Sequence, residues 1–312
     1  MASHIHKKIF FRLRSVACLA LAMIICACAG ASRPPQAGAP RGANGQPYPV
    51  LIPDSPDRKQ SVMAAWASLA QNSTAKPELQ PVTGTVRSLP AANSNSLYLP
   101  KVTEKPVMTE EETRESLRRF ISAEAQLIGA KLPELSLTLR TELADGTKRA
   151  RYEQRPFAYP LRGGYGILEI SFLTDRRITQ IYSTCLPDVE KYRRAVNTLA
   201  PVIKSADDAA KAVRGKAFTF ADDAGNTQSV TISANDTLTV RELVIYPLLR
   251  ENRLELHLAW EIVYAQTNSS SKAVYLDAVS GEILSAGTVP ISSAQGSGGS
   301  LQADEELHGT GR

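Results

Sequence analysis

The chain has 312 residues, with 36 Lys+Arg against 31 Asp+Glu, a formal net charge of +5. At that length two ordinary domains fit, and 43% hydrophobic against 21% charged residues is a globular rather than a disordered balance. Four Cys exclude a dense disulfide framework, and the 19 Gly follow no triplet period, which excludes collagen.

Residues 1–27 hold Lys7, Lys8, Arg12 and Arg14 and no acid. Without them the charge falls to +1, so the basic surplus that phosphate binding requires is missing and nucleic acid is not an expected partner. The apolar run Val16–Ala27 is short for a permanent span and reads as the core of a signal peptide. Ile25-Cys26-Ala27-Cys28 resembles a bacterial lipobox: an aliphatic residue at −3, a small residue at −1, then the cysteine that is acylated. The resemblance implies cleavage before Cys28 and lipidation of Cys28. It places the protein in the cell envelope, anchored on the periplasmic face, at the outer membrane if the cell is Gram-negative. An ordinary signal peptide or an uncleaved anchor is the alternative. After cleavage Cys185 is the only other cysteine, and it reads as a buried small hydrophobe.

Residues 28–106 read as a Pro-rich tether. Between Ala29 and Lys105 lie 11 of the 19 Pro, among many Ser, Asn, Gln, Ala and Gly. One island, Gln60–Ala70, sets Val62, Trp66 and Leu69 on one helical face. It can dock on a partner, dock on the body, or stand as a local helix.

The body starts at residue 107. Thr109 and Glu112 form a capping box, Leu117, Phe120, Ile121, Ala125 and Ile128 make a helical stripe, and Gly129 stops it. Strands are expected around Leu135–Leu139, Lys148–Gln154, Ile167–Phe172 and Ile178–Tyr182, with Asp145-Gly146 as a hairpin turn. A linking helix follows Pro187-Asp188, and a second helix opens at the N-cap Ser205 and stops at Gly215. Strands are expected again at Leu238–Pro247, Arg253–Ala265, Ala273–Asp277 and Glu282–Ser285. In the longest, Leu254, Leu256, Leu258, Trp260 and Ile262 share a face, which sets Glu255, His257 and Glu261 on the opposite, solvent side. The fold class is therefore α+β: two consecutive units of a helix on an antiparallel sheet, after a disordered tether.

The second unit, residues 187–286 with the linking helix, resembles a PepSY domain. The carriers are Arg241–Pro247 ending in Tyr246-Pro247, the Leu258-Ala259-Trp260 strand, and Val274-Tyr275-Leu276-Asp277-Ala278-Val279-Ser280-Gly281-Glu282. In that last run Asp277 can bond turn amides and Gly281 can take a positive φ. The first unit, residues 107–186, resembles the propeptide domain that precedes fungalysin and thermolysin-type proteases. Its carriers are Tyr152-Glu153-Gln154, then Tyr159-Pro160-Leu161-Arg162-Gly163-Gly164, then Leu168-Glu169-Ile170. Ala158 stands where that pattern has Gly.

No His-Glu-x-x-His zinc motif follows, and the mature chain has only His257 and His308. No nucleophile elbow, phosphate loop or dinucleotide fingerprint is present, so no catalytic residue, cofactor or metal ligand is assigned. The resemblance implies a non-catalytic lipoprotein that binds a metallopeptidase or another envelope protein, as inhibitor or folding helper. Two alternatives stay open: a severed propeptide of a thermolysin-like protease, and a structural or binding lipoprotein of the envelope. The Gly/Ser-rich residues 287–312 read as a flexible tail.

Overall fold

The computed structural model describes residues 48–51, 56–70, 75–90, 97–104, 107–221, 227–251, 253–265 and 271–288. Cys28 and the tail beyond Thr288 lie outside them. The architecture is α+β, with helices laid on antiparallel sheets.

The first core is built around α2 (Glu110–Ala123), α3 (Ala125–Ile128) and a four-stranded meander. Its strands are β4 (Leu135–Glu142), β5 (Lys148–Gln154), β6 (Ile167–Phe172) and β7 (Ile178–Ser183), in that order across the sheet. Thr109 caps α2: its side chain accepts from the Glu112 amide, and the Glu112 carboxylate accepts from the Thr109 amide at 2.7 Å. Glu110, Glu111 and Glu112 in the first turn complement the helix dipole. Leu117, Phe120 and Ile121 then bury against Ala150, Leu168, Ile170, Phe172 and Ile181 of the sheet. In β4 the expected alternation breaks at a bulge between Leu137 and Leu139, and Leu137 is exposed.

The supposed tether contributes to this core, which corrects the reading of residues 28–106 wherever they are described. Pro56–Leu69 is a helix, α1, with Pro at its first position, where a missing amide costs nothing. Val62 and Trp66 are buried against the protein's own body, and Trp66 Nε1 donates to Ala75 O at 3.0 Å. Two short strands, β2 (Glu78–Leu79) and β3 (Val86–Ser88), pair with each other. Val86 is buried, and Thr85 Oγ1 donates to Ser183 O at 2.8 Å. Leu97 and Leu99 are also buried; Ile178 N donates to Leu97 O and Leu99 N to Arg176 O, which extends the sheet beyond β7. Proline prevents these segments from forming long ladders, but it does not prevent irregular chain from burying its apolar side chains.

The second core lies under a larger sheet. Helices α4 (Glu190–Asn197) and α5 (Ala206–Val213) pack on it through Val196, Ala209 and Val213. Ser205 caps α5 by accepting from the Asp208 amide. The sheet consists of β10 (Thr237–Arg250), β11 (Arg253–Ala265), β12 (Lys272–Asp277) and β13 (Ile283–Thr288), with β10 and β12 flanking β11. β13 runs through Gly287 and Thr288, which the sequence assigns to the tail. A two-residue strand, β1 (Val50–Leu51), pairs antiparallel with β11 at Leu254 and Glu255, on the line that β12 occupies further along. A hairpin not expected from the sequence, β8 (Ala217–Ala221) with β9 (Thr227–Thr231), adds Phe218 and Phe220 to the core.

Leu254, Leu256, Leu258, Trp260 and Ile262 all point into this second core, as their alternation predicts. The opposite face of β11 is not solvent: Glu255, His257 and Glu261 are 5%, 1% and 2% exposed. That overturns the expectation for all three.

Candidate functional site

Some of the residues quoted for the two resemblances, Gly163, Tyr246, Tyr275 and Asp277, lie along this second face of β10–β12. The loop Pro160–Gly164 runs parallel to β10 along its edge at Ile245. Ile245 N donates to Pro160 O at 2.8 Å, and Arg162 N donates to Ile245 O at 3.0 Å. A parallel bridge joins Leu161 to Ile245. Gly163 has φ +71 and lies flat on the Tyr246 ring; a Cβ there would stand 2.8 Å from Tyr246 Cε2. Tyr246 in turn stacks on Tyr275, ring centroids 4.6 Å apart. The site is a packed junction: the backbone loop Pro160–Gly164 seated on aromatic side chains of β10 and β12.

Ala158, where the propeptide pattern has Gly, is accommodated: its amide donates to Asn197 Oδ1 at 3.1 Å. Gly164 has φ +81, but a Cβ would meet nothing there. The pair gives a discriminating prediction. Gly164→Ala should carry only the left-handed backbone cost, about 1–2 kcal/mol. Gly163→Ala should add overpacking of a further 1–3 kcal/mol or so. Urea unfolding of the two variants checks this, and equal losses would mean that the ring contact is slack.

Electrostatics reinforce the junction. The Arg162 guanidinium donates to Glu242 at 2.8 Å and lies 3.7 Å from the buried Glu261. Arg241 is 3.9 Å from the same Glu261, and Tyr275 donates its hydroxyl to it at 3.3 Å. A buried carboxylate is tolerated only with such partners. Burial raises the Tyr275 phenol above its ordinary value, and the Glu261 charge and hydrogen bond push the same way.

Further along the same face lies a second buried polar group. Asp277 ends β12 and organises the following turn: its Oδ1 accepts from the Val279 and Ser280 amides at 2.7 and 2.9 Å. Gly281 has φ +74 and donates its amide to Asp277 O, and Lys216 Nζ donates to Gly281 O. The other oxygen, Oδ2, accepts the Tyr48 hydroxyl at 2.8 Å and lies 2.7 Å from His257 Nδ1. His257 Nε2 lies 3.2 Å from Glu255 Oε2, and Arg250 is 3.6 Å from Glu255. The Tyr48 ring covers the His257 ring, centroids 3.9 Å apart. Burial acts to raise the Asp277 carboxyl. The His257 contact, the two turn amides and Tyr48 outweigh it, so it is held below its ordinary value. Burial and the Asp277 contact hold the Tyr48 phenol above its usual range.

The remaining motif residues serve elsewhere. Tyr152 is buried in the first core, its phenol pushed up to about 12 by burial. Gln154 ties the end of β5 to Leu186, donating to its carbonyl and accepting from its amide, and also donates to Glu134. Trp260 is on the opposite face from Tyr246 and donates to Ile203 O at 2.9 Å. Pro247 is buried on β10. Cys185 is fully buried, and desolvation pushes its thiol up to about 12, against a lowering contact with Ser183. Tyr48, Glu255, His257 and Glu261 are the members of this face that sequence reasoning missed or put in solvent.

Among the described residues no group of His, Cys, Asp or Glu is arranged to hold a metal ion, and no helix is long and apolar enough to cross a membrane.

No family model matches the chain, and none of the curated proteins does. Among solved structures the chain is similar to the C-terminal domain of YpeB from Bacillus megaterium, at 11% identity over 77% of this chain and 99% of that one, with a TM-score of 0.29. A similarity of that size decides neither fold nor activity.

Proposed function

We propose that the protein is a non-catalytic lipoprotein of the cell envelope that binds a metallopeptidase and modulates it, as inhibitor or folding helper. The observation that carries this reading is the junction. The stretch resembling a protease propeptide, Pro160–Gly164, is seated on Tyr246 of the stretch resembling a PepSY domain. The two resemblances thus converge on one packed unit, in the order in which they precede a protease. The anchor in this reading is Cys28, which holds the body at a membrane surface through its acyl chains, each buried methylene contributing roughly 0.8 kcal/mol.

The test has two arms. The chain from Cys28 onward is incubated with a panel of thermolysin-type peptidases, and casein cleavage and peptidase refolding yield are followed. A changed rate or yield with at least one enzyme is expected; no change across the panel counts against the reading. Separately, labelled palmitate should enter the protein in bacterial cells and be lost in Cys28→Ala. Equal labelling of the variant would overturn the anchor.

A further inference from the structure

The outer face of the first sheet, away from α2, carries a charge that the fold leaves unanswered. Alternation along β5 turns Ala150, Tyr152 and Gln154 inward, where they are buried, and sets Arg149, Arg151 and Glu153 on the opposite, half-buried side. Arg151 donates to Glu169 at 2.5 Å, and Arg155 donates to Glu153 at 3.5 Å. Arg149 has no such partner. Among the described residues its side chain forms no ion pair and no hydrogen bond, and its Nε is buried without an acceptor. The two terminal nitrogens of the same guanidinium are not buried. A buried N–H without an acceptor gives up its water for no compensation, and folded proteins keep few of them.

The neighbours of Arg149 across the sheet are donors too. The register sets Thr141 of β4 opposite it on one side and Ser171 of β6 on the other. Directly opposed side chains of an antiparallel pair stand about 5 Å apart at Cβ. Neither hydroxyl makes a hydrogen bond among the described residues. The row ends on β7 at Gln180, whose amide is already engaged by the backbone at Arg87 and Leu89. A guanidinium thus lies between two hydroxyls, and all three groups are free to donate to one anion.

We propose that Arg149, Thr141 and Ser171 form a carboxylate-binding site whose ligand is an acidic side chain of a partner protein. Charge decides the class. Arg151 is balanced by Glu169, and Glu153 by Arg155, so Arg149 is the surplus charge of this row and matches a monoanion. A phosphate dianion would bring a second negative charge close to Glu169 and Glu153. A small free ligand needs a concave site that encloses it, whereas an open sheet face offers a shallow surface to a side chain held on another protein. The carboxylate accepts from the terminal guanidinium nitrogens and, at its flanks, from the two hydroxyls. The site shares no residue with the Gly163–Tyr246 junction and does not depend on the peptidase reading.

The probe is the blocked peptide acetyl-Gly-Glu-Gly-amide, titrated into the isotope-labelled chain from Cys28 onward and followed by nuclear magnetic resonance. Saturable shifts are expected at the Arg149 Nε–H and at the backbone amides of Thr141, Arg149 and Ser171. Acetyl-Gly-Gln-Gly-amide, which has the same shape without the charge, should bind roughly tenfold more weakly. Thr141→Val and Ser171→Ala should each weaken the glutamate peptide by roughly two- to tenfold, the loss of one hydrogen bond. Arg149→Met should abolish binding and leave the urea midpoint unchanged or raised, because the apolar stem still packs and the orphaned N–H is gone. No saturable shift at Arg149, equal responses to the Glu and Gln peptides, or tighter binding of inorganic phosphate overturns the proposal. So does a lowered urea midpoint in Arg149→Met, which would give the guanidinium a partner within the fold.

Discussion

Asp277→Ala is expected to lower the unfolding free energy at pH 7 by about 3–5 kcal/mol, the cost of removing one partner from a buried charged group. The side chain receives two turn amides, a phenol and an imidazole contact, and its removal strands all of them. Asp277→Asn keeps the shape and one acceptor oxygen and should lose less. The pH dependence has a definite sign. The folded carboxyl is held below its ordinary value, so its contribution is fully present above about pH 5, past the ordinary carboxylate range. That contribution fades as pH falls through the lowered folded value. The gap between wild type and Asp277→Asn in urea midpoints should therefore be constant from about pH 5 to 7 and narrow below about pH 4. A loss under about 1 kcal/mol for Asp277→Ala, or a gap indifferent to acid, would mean that the group is solvated.

Trp66→Ala should cost about 3–5 kcal/mol, the usual range for an aromatic truncated in a core. Trp66 is 2% exposed, beside Val62 and the first core, and its indole donates to Ala75 O. Were residues 56–70 a free island on a tether, the same substitution would stay within about 0.5 kcal/mol, as solvent-exposed changes do. Urea unfolding followed by circular dichroism separates the two by a wide margin. Trp66→Phe keeps most of the apolar area and should recover more than half of the loss. A neutral Trp66→Ala would return this segment to the tether.

These two sites also mark where sequence reasoning works and where it stops. The helix at Glu110 is readable because capping and periodicity are local: Thr109 and Glu112 are three residues apart and bond each other. The same holds for the Asp277–Gly281 turn, whose acceptor and donors are near neighbours. The β8–β9 hairpin was within reach too. Phe218 and Phe220 alternate with Thr219, and Asp222-Asp223-Ala224-Gly225-Asn226 is rich in turn formers. The tether reading failed for a different reason. Proline density reports which backbone ladders are forbidden, whereas burial of Val62, Trp66, Val86, Leu97 and Leu99 depends on a surface far away in sequence.

His257 shows the limit most sharply. Alternation along β11 places it, correctly, on the face opposite Leu256 and Leu258. Period two says which residues share a face but not what covers that face. The cover comes from Tyr48 and from Asp277, the latter 20 positions away and the former far upstream. Likewise Gly163 reads as a turn former, yet its contact with the Tyr246 ring exists only because its loop folds against β10.

The amino-acid sequence by itself determined the α+β class, the caps and turns, the apolar row of β11 and the placement of the basic surplus in residues 1–27. Each of these is a matter of neighbours within one or two turns of helix or one strand. Tertiary structure alone decided that residues 56–104 belong in part to the core, that the Pro160–Gly164 loop packs through Gly163 on Tyr246, and that Tyr48, His257, Glu255 and Asp277 form one buried group. Those outcomes join residues distant along the chain, and the free energy of such contacts depends on which surfaces the folded chain brings together.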